Sequence, residues 1–281
     1  MKNVAADYIY KLVILLSLFT GVFVFGFLFI WLIKSSGEFA EPHALFEFLL
    51  GTVWSPENGK FGVFYMLVSS LTTAFLSALV SSVVSILAAG FIFVYFPKKA
   101  AERIISLTSV LSGIPSVLFG LIGMTVIVPW LGNNIELAKA GGGASLMAAA
   151  AVLSFMLIPV MTVTCYEGLI SADKLTLYAS DALGATKTET LFNCAMPMIR
   201  KIRKTALANA FRRAVGEATA VILVSGNVTG KAGFFYPVRT LAGTVVLEMG
   251  YADKTHRSAL FAIGLLLLVI TMLIPSGRDE D

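Results

Sequence analysis

Two opposite charges stand four residues apart inside an apolar stretch of this 281-residue chain: Arg213 and Glu217, within Phe211-Arg-Arg-Ala-Val-Gly-Glu-Ala-Thr-Ala-Val221. Read as one helix starting near Thr205, they lie roughly 12 and 18 Å along it at about 1.5 Å per residue. An apolar bilayer core is about 30 Å thick, so both fall near its middle. A charge there costs on the order of 2.5–3.5 kcal/mol even on a lenient insertion scale, and by default marks a polar pathway. At a spacing of four the two share a helix face and can pair. They can form a structural ion pair that locks this helix to a neighbour. They can also line a pathway in which the planar arginine fork offers an anion two parallel hydrogen bonds. Arg212 points about 100° away from Arg213, toward a partner helix or a lipid-interface group.

Other chemistries find little support. Gly226-Asn-Val-Thr-Gly-Lys231-Ala232 has a superficial likeness to a phosphate-binding loop, but its spacing is one short and no Ser or Thr follows the lysine. His43 and His256 are isolated in loops and read as solvated side chains without ligand partners, so no metal site is expected. No histidine lies in a span, which leaves an intramembrane nucleophile–base pair or metal cluster without its parts. The chain is therefore expected not to be an enzyme. Asn227-Val-Thr229 matches a glycosylation acceptor, a pattern common by chance. Cys165 and Cys194 read as small packing residues, not as a disulfide.

The elements that must position the charges are membrane helices. The chain is 57% hydrophobic and 14% charged, with a mean hydropathy of +0.86. A soluble core of this length does not need so much apolar surface, whereas a spanning helix takes about 20 apolar residues. The predicted fold is an all-α polytopic membrane protein with six transmembrane helices in one permease domain, 1–281. The spans are about 9–33, 66–96, 104–131, 142–166, 205–225 and 258–274. Gly113-Ile-Pro115-Ser116 should kink or break the third span near its middle. Gly141-Gly-Gly143 marks the turn into the fourth. No internal repeat is visible. Trp31, Trp54 and Trp130 fall near span ends, as interface anchors do.

Basic residues set the orientation. With the amino terminus inside, Lys98, Lys99, Arg103, Lys174, Lys187, Arg200, Lys201, Arg203 and Lys204 join Lys2, Lys11 and Arg278 on the inner side. They outnumber Lys34, Lys60, Lys139, Lys231, Arg239, Lys254 and Arg257 outside. Both termini are then cytoplasmic. The net charge of +4 reads as topology and not as nucleic-acid binding. The short acidic tail, Ile274 to Asp281, counts little in that rule.

Between spans four and five lies a polar helix–turn–helix, 171–197. Residues after Ser171 look helical up to Gly184, which suits a left-handed helix end. Thr186 and Glu189 have capping-box spacing and start a second helix. Pro197 closes that helix or opens the next. Such a knob is either an ordinary linking loop or a short helix offered to a groove of a soluble partner.

The segment resembles the EAA loop of ATP-binding-cassette importer permeases. Their pattern is Glu-Ala-Ala, three residues, Gly, nine residues, Ile-x-Leu-Pro. Gly184 and Pro197 stand at the matching spacing. Tyr178, Ser180, Cys194 and Met196 depart from the pattern, and Ala179 keeps it. Leu111 to Gly123 and Phe211 to Val221 resemble the third- and fifth-span motifs of phosphate-importer permeases, and Leu50 to Gly62 resembles an outer segment of their C type more than of the A type, which Gly226-Asn227 also fits. The resemblance covers about residues 45–273.

It implies the type I importer permease fold, with a coupling helix in the loop that sits in a cleft of an ATPase subunit. Tyr178, Ala179, Ser180, Ala182, Gly184, Ala185 and Pro197 would be the docking residues, with Ala182, Gly184 and Ala185 closest. Arg213 would guide phosphate and Glu217 tune it. The implied partners are a second permease of the A type, two cytoplasmic ATP-binding subunits, an extracytoplasmic phosphate-binding protein and the bilayer of the cytoplasmic membrane. ATP and magnesium belong to the ATPase, so no cofactor is expected in this chain. Sulfate, molybdate or tungstate remain alternative substrates. An ion-coupled carrier working alone is a further class, although only Glu217 among the carboxylates lies deep.

Overall fold

A computed structural model describes residues 4–39, 42–231 and 233–275. Lys2, Arg278 and the acidic end of the tail lie outside the described residues. The chain is helical almost throughout. Helix α1 (Val4–Ser35) is followed by α2 (Pro42–Leu50) and a small hairpin, β1 (Trp54–Ser55) with β2 (Lys60–Phe61). Then come α3 (Phe64–Tyr95), α4 (Lys98–Ser112), α5 (Ser116–Ile122), a π turn at Gly123–Ile127 and α6 (Val128–Asn134). Helix α7 (Leu146–Ser171) leads through the knob helices α8 (Lys174–Ala182), α9 (Lys187–Thr190) and α10 (Met196–Met198). The chain ends with α11 (Arg200–Val215), α12 (Thr219–Val224), α13 (Leu241–Glu248) and α14 (Lys254–Leu273).

The centre of the bundle is the pair α3 and α7. Helix α3 buries a stripe of small residues, among them Ser70, Ala74, Ser77, Ala78, Ser81, Ser85 and Ala89. In lipid there is little hydrophobic force between helices, so close approach of small residues supplies the packing. Ala148, Ala149, Val152 and Leu153 of α7 meet the stripe, with Ala206, Ala210 and Ala214 of α11 alongside. Several buried hydroxyls bond back along their own helix, Ser70 to the Met66 carbonyl at 2.7 Å and Ser77 to that of Ala74 at 3.0 Å, while Thr73 Oγ1 has no hydrogen-bond partner among the described residues. Ser85 donates across to the Ile158 carbonyl at 3.0 Å, beside Pro159, where α7 lacks a backbone donor.

Among the described residues five helical stretches are long and apolar enough to span: 10–35, 64–95, 116–134, 146–171 and 254–273. Spans one, two, four and six of the sequence reading shift by only a few residues. The third does not begin at 104; α4 ends before Pro115, and the spanning stretch starts at Ser116. The fifth, 205–225, is not one helix but α11 and α12 separated by Gly216-Glu217-Ala218. The stretch between the fifth and sixth predicted spans carries α13, whose Leu241 and Thr244 are fully buried. Helix α1 is almost wholly exposed along its apolar length and touches α14, where Trp31 packs edge-on to Phe261 at 4.8 Å. Trp54 is buried, and so is no interface anchor.

The bundle has two distinct ends. At one, the basic starts of α4 and α11 surround a cluster of Ile92, Cys165, Tyr166, Leu169, Leu191 and Met196 that seats the knob. A Cβ on Gly90 would lie 3.0 Å from the side-chain ends of both Leu191 and Met196, so the glycine lets the knob sit close against α3. At the other end the hairpin, α13 and the start of α14 close over Phe48, Val63, Met66, Leu260 and Ile263.

Candidate functional site

Two helix breaks meet near the middle of the bundle. Pro115 disfavours helical backbone at Ile114, so α4 stops and α5 restarts at Ser116. On the other side α11 ends at Gly216, a poor helix former, and α12 restarts at Thr219. Each break lies at a similar rise from the basic end, about 22 Å along α4 and about 24 Å along α11 at 1.5 Å per residue. The halves beyond the breaks pack closely, for a Cβ on Gly120 would come within 2.9 Å of the Ala220 Cα. A hydrogen bond of 2.8 Å between the Ser116 and Thr219 hydroxyls joins the two restart points.

The expected Arg213–Glu217 pairing is not formed. The break destroys the helical phase that would have put them on one face. Glu217 instead turns forward. Its Oε1 accepts from the Thr219 hydroxyl at 2.8 Å and from the Ala220 N–H at 3.1 Å, capping α12. Arg213 sits on the last turn of α11, exposed, and among the described residues it has no hydrogen-bond or ion-pair partner. Arg212 meets a partner helix, as its direction predicts. It donates to Asn209 Oδ1 at 3.1 Å and to the Ile274 carbonyl that ends α14. A cation without a partner among the described residues, on the last helical turn before a break, is suited to holding an anion; Ser116 and Thr219 open the helices beyond the two breaks, and no spacing in the sequence links those two.

The knob is built by local signals. Asp173 caps α8, accepting from the Leu175 and Thr176 amides at 3.1 Å and from the Thr176 hydroxyl at 2.7 Å. Gly184 has a φ of 84°, and Gly184 and Ala185 donate to the Asp181 and Ser180 carbonyls at 3.0 and 3.2 Å, a Schellman end. The Thr186–Glu189 capping box is complete. Ser180 bonds to the Thr190 hydroxyl at 2.9 Å, tying the two helices together. Tyr178, Ala179, Ala182, Gly184 and Pro197 are exposed, and Ser180 and Ala185 are half-buried. Leu183, between them, is 89% exposed, a large apolar side chain with nothing of its own chain to cover it.

Hydrogen bonds from Thr176 and Leu175 hold the Asp173 carboxyl below the usual carboxylate range. Those from Thr186 do the same for Glu189. A lowered folded-state value means stabilisation that is present above the usual range and fades as pH falls through the lowered values. Amide hydrogen exchange in 173–190, corrected for the intrinsic pH dependence, is therefore expected to hold steady from neutral pH down to that range. Protection at Leu175, Thr176 and Thr186, whose amides donate to the two carboxylates, should drop below it. Unchanged protection under acid would show that these caps do not hold the knob.

A second charged cluster lies at the opposite end. Glu248, 5% exposed, accepts at Oε2 from Trp54 Nε1 at 2.9 Å, pairs there with His256 Nε2 at 2.8 Å, and pairs at Oε1 with Arg239. His256 is thus buried and bonded, against the expectation of a solvated residue; only His43 is exposed. The partners come from the hairpin, the loop before α13, α13 itself and α14, so their separation in sequence hides them.

The family model described as "Binding-protein-dependent transport system inner membrane component" matches residues 81–277. A protein of Bacillus subtilis (strain 168), "Probable ABC transporter permease protein YqgH", is 34% identical over 235 residues, 81% of this chain and 74% of that protein. The "Phosphate transport system permease protein PstC" of Xylella fastidiosa (strain Temecula1 / ATCC 700964) is 26% identical and covers 98% of this chain and 90% of its own. Among solved structures, a chain of a bacterial alginate ABC transporter in complex with a pentasaccharide-bound periplasmic protein aligns with a TM-score of 0.68 at 12% identity. That alignment covers 97% of this chain and 93% of the other. A chain of the inward-facing MetNI methionine ABC transporter aligns with a TM-score of 0.58 at 17% identity, covering 79% and 94%. These likenesses show the fold, the all-α fold of type I importer permeases, here with five candidate spanning stretches among the described residues and the interrupted pair α11 and α12.

Proposed function

Because the chain belongs to the family of binding-protein-dependent transport system inner membrane components, we propose that it is one transmembrane half of an ATP-driven importer of inorganic phosphate. The observation that carries the reading is Arg213, exposed and without a hydrogen-bond or ion-pair partner among the described residues, on the last turn before a helix break that Thr219 and Ser116 join to a second one. A free guanidinium in an apolar bundle is costly unless something anionic visits it, and its planar fork suits a phosphate's oxygens. The similarity to phosphate permeases over nearly the whole chain supports the same substrate. Glu217 shapes the break without neutralising the arginine.

In this reading the basic end faces the cytoplasm, with both termini, as the distribution of Lys and Arg favours. The knob meets one of two ATPase subunits there, through Tyr178, Ala179, Ser180, Ala182, Gly184, Ala185 and Pro197, with Leu183 inserted. ATP and magnesium stay on those subunits. The knob is clamped to α3 and α7 through Leu191 and Met196, so its displacement is passed to the helices that flank the breaks. A partner that contacts the knob differently in its two nucleotide states biases the bundle between outward- and inward-facing forms. A second permease completes the pathway, and a phosphate-binding protein docks at the opposite end.

The test is ATP hydrolysis by the complex reconstituted with its co-encoded partners, titrated with binding protein and phosphate, sulfate or molybdate. Stimulation by phosphate alone is expected. Stimulation by another oxyanion keeps the architecture and overturns the substrate. Failure to assemble with any ATPase rejects the importer reading.

A further inference from the structure

The hydroxyl link across the two breaks has a direction, and the direction follows from its atoms. Glu217 Oε1 takes the Ala220 N–H at 3.1 Å and the Thr219 hydroxyl at 2.8 Å. A threonine hydroxyl owns one hydrogen, and here the carboxylate takes it. The 2.8 Å contact between Ser116 and Thr219 must then have Ser116 as donor. Serine also owns one hydrogen, so the Ser116 oxygen is left with lone pairs alone. Ser116 is half-buried and Thr219 exposed, so the link is open to the space outside the bundle core. Around the breaks the chain therefore offers donors at Arg213 and an acceptor at Ser116.

We propose that Ser116, polarised by Glu217 through Thr219, is a specificity-determining acceptor that selects oxyanions carrying a hydroxyl. The proposal rests on the reading of the chain as an anion permease. Phosphate and arsenate near neutral pH keep at least one hydroxyl hydrogen. Sulfate and molybdate keep none. A hydroxyl-bearing anion can bond Arg213 through its bare oxygens and donate to Ser116. With sulfate, oxygen lone pairs face oxygen lone pairs and no hydrogen lies between them. Sites that hydrogen-bond a substrate hydroxyl reject analogues lacking it far more strongly than apolar pockets reject a missing methylene. Thr219 and Glu217 are positioning residues; they need not touch the anion, because they act by fixing the serine hydrogen.

A purely structural staple would pin the breaks together and leave anion preference unmoved, so preference is the quantity to measure. The assembled transporter in lipid nanodiscs, without binding protein, is probed with inorganic phosphate by 31P line broadening, in competition with arsenate and sulfate at constant pH. Arsenate is expected to compete at equal concentration, while sulfate needs at least about a tenfold excess. In Thr219→Val the serine hydrogen is free to turn outward. Sulfate should then compete nearly as well as arsenate, and Thr219→Ser should restore the wild-type ratio. Ser116→Ala, which removes the acceptor, should also level the two competitors and serves if the valine variant does not assemble. Sulfate competing like arsenate in the wild type overturns the proposal. So does an unchanged ratio in both Thr219→Val and Ser116→Ala, and so does an absence of phosphate broadening in the wild type. Uptake of phosphate with the binding protein, measured on the same preparation in vesicles, separates the levels. Intact uptake with flat selectivity removes only this inference, whereas lost uptake in the wild type removes the phosphate reading beneath it.

Discussion

Arg213→Gln in the assembled transporter is expected to lower phosphate uptake ten- to a hundredfold while the complex still forms and hydrolyses ATP. Hydrogen bonds to charged groups contribute about 1.5–3 kcal/mol, and each 1.4 kcal/mol is about a factor of ten. Arg213 has no partner among the described residues, so its loss leaves no buried carboxylate stranded and the defect should fall on transport. Arg213→Lys keeps the charge and loses the fork, and should lie between wild type and glutamine. Arg212→Gln is the contrasting control. It breaks bonds to Asn209 and the end of α14, so it should lower stability first. Uptake by Arg213→Gln within twofold of wild type would remove the arginine from the pathway.

The largest expected effect on stability comes from the other end of the bundle. Glu248→Ala strips Trp54, His256 and Arg239 of their shared acceptor at once. Removing one member of a buried charged network costs on the order of 3–5 kcal/mol, chiefly because the remaining partners stay buried without compensation. Since Arg239 is partly exposed, water recovers some of its share, and the lower figure applies. For a chain of this size a melting temperature lower by roughly 6–10 °C in detergent follows. Glu248→Gln keeps an acceptor oxygen for Trp54 and should cost less. If the alanine variant melts with the wild type, the cluster does not hold the hairpin, α13 and α14 together. Anion preference should not change in either case, because this cluster and the helix breaks lie in different parts of the bundle.

What could be read in advance was what is local. The ends of α7 and α8 follow from Gly142-Gly143, Asp173 and Gly184, whose turn and cap chemistry acts over a few residues. The capping box at Thr186 needed only its own four residues. Pro115 announced one helix break because proline constrains its neighbour directly. The second break carries a single glycine, Gly216, inside a run that is otherwise helix-compatible, and the close packing of α12 against Gly120 of α5 beyond it is a long-range contact. Glu217 therefore looked like a partner for Arg213 when it is the cap of the next helix. His256 looked isolated for the same reason. Trp54 lies 194 residues from Glu248 in sequence, and no periodicity connects them. Leu183 carries no signal in the sequence, since a single leucine in a polar run becomes distinctive only where the fold leaves it uncovered on the knob.

The split fifth span also bears on how the protein is made. Helix α11 carries Arg200, Lys201, Arg203, Lys204, Arg212 and Arg213, and the stretch 200–224 is not among those both long and apolar enough to cross a membrane. A translocon that sorts segments by partitioning into lipid would release it poorly on its own, each deep arginine opposing insertion by about 2.5–3.5 kcal/mol. Its alanine face packs on α3 and α7, and both leave the ribosome before it does. The nascent chain thus carries its own docking groove. Faults in the small-residue stripe of α3 should surface during biogenesis, as copies whose fifth span never enters the bilayer, before they surface as lost transport.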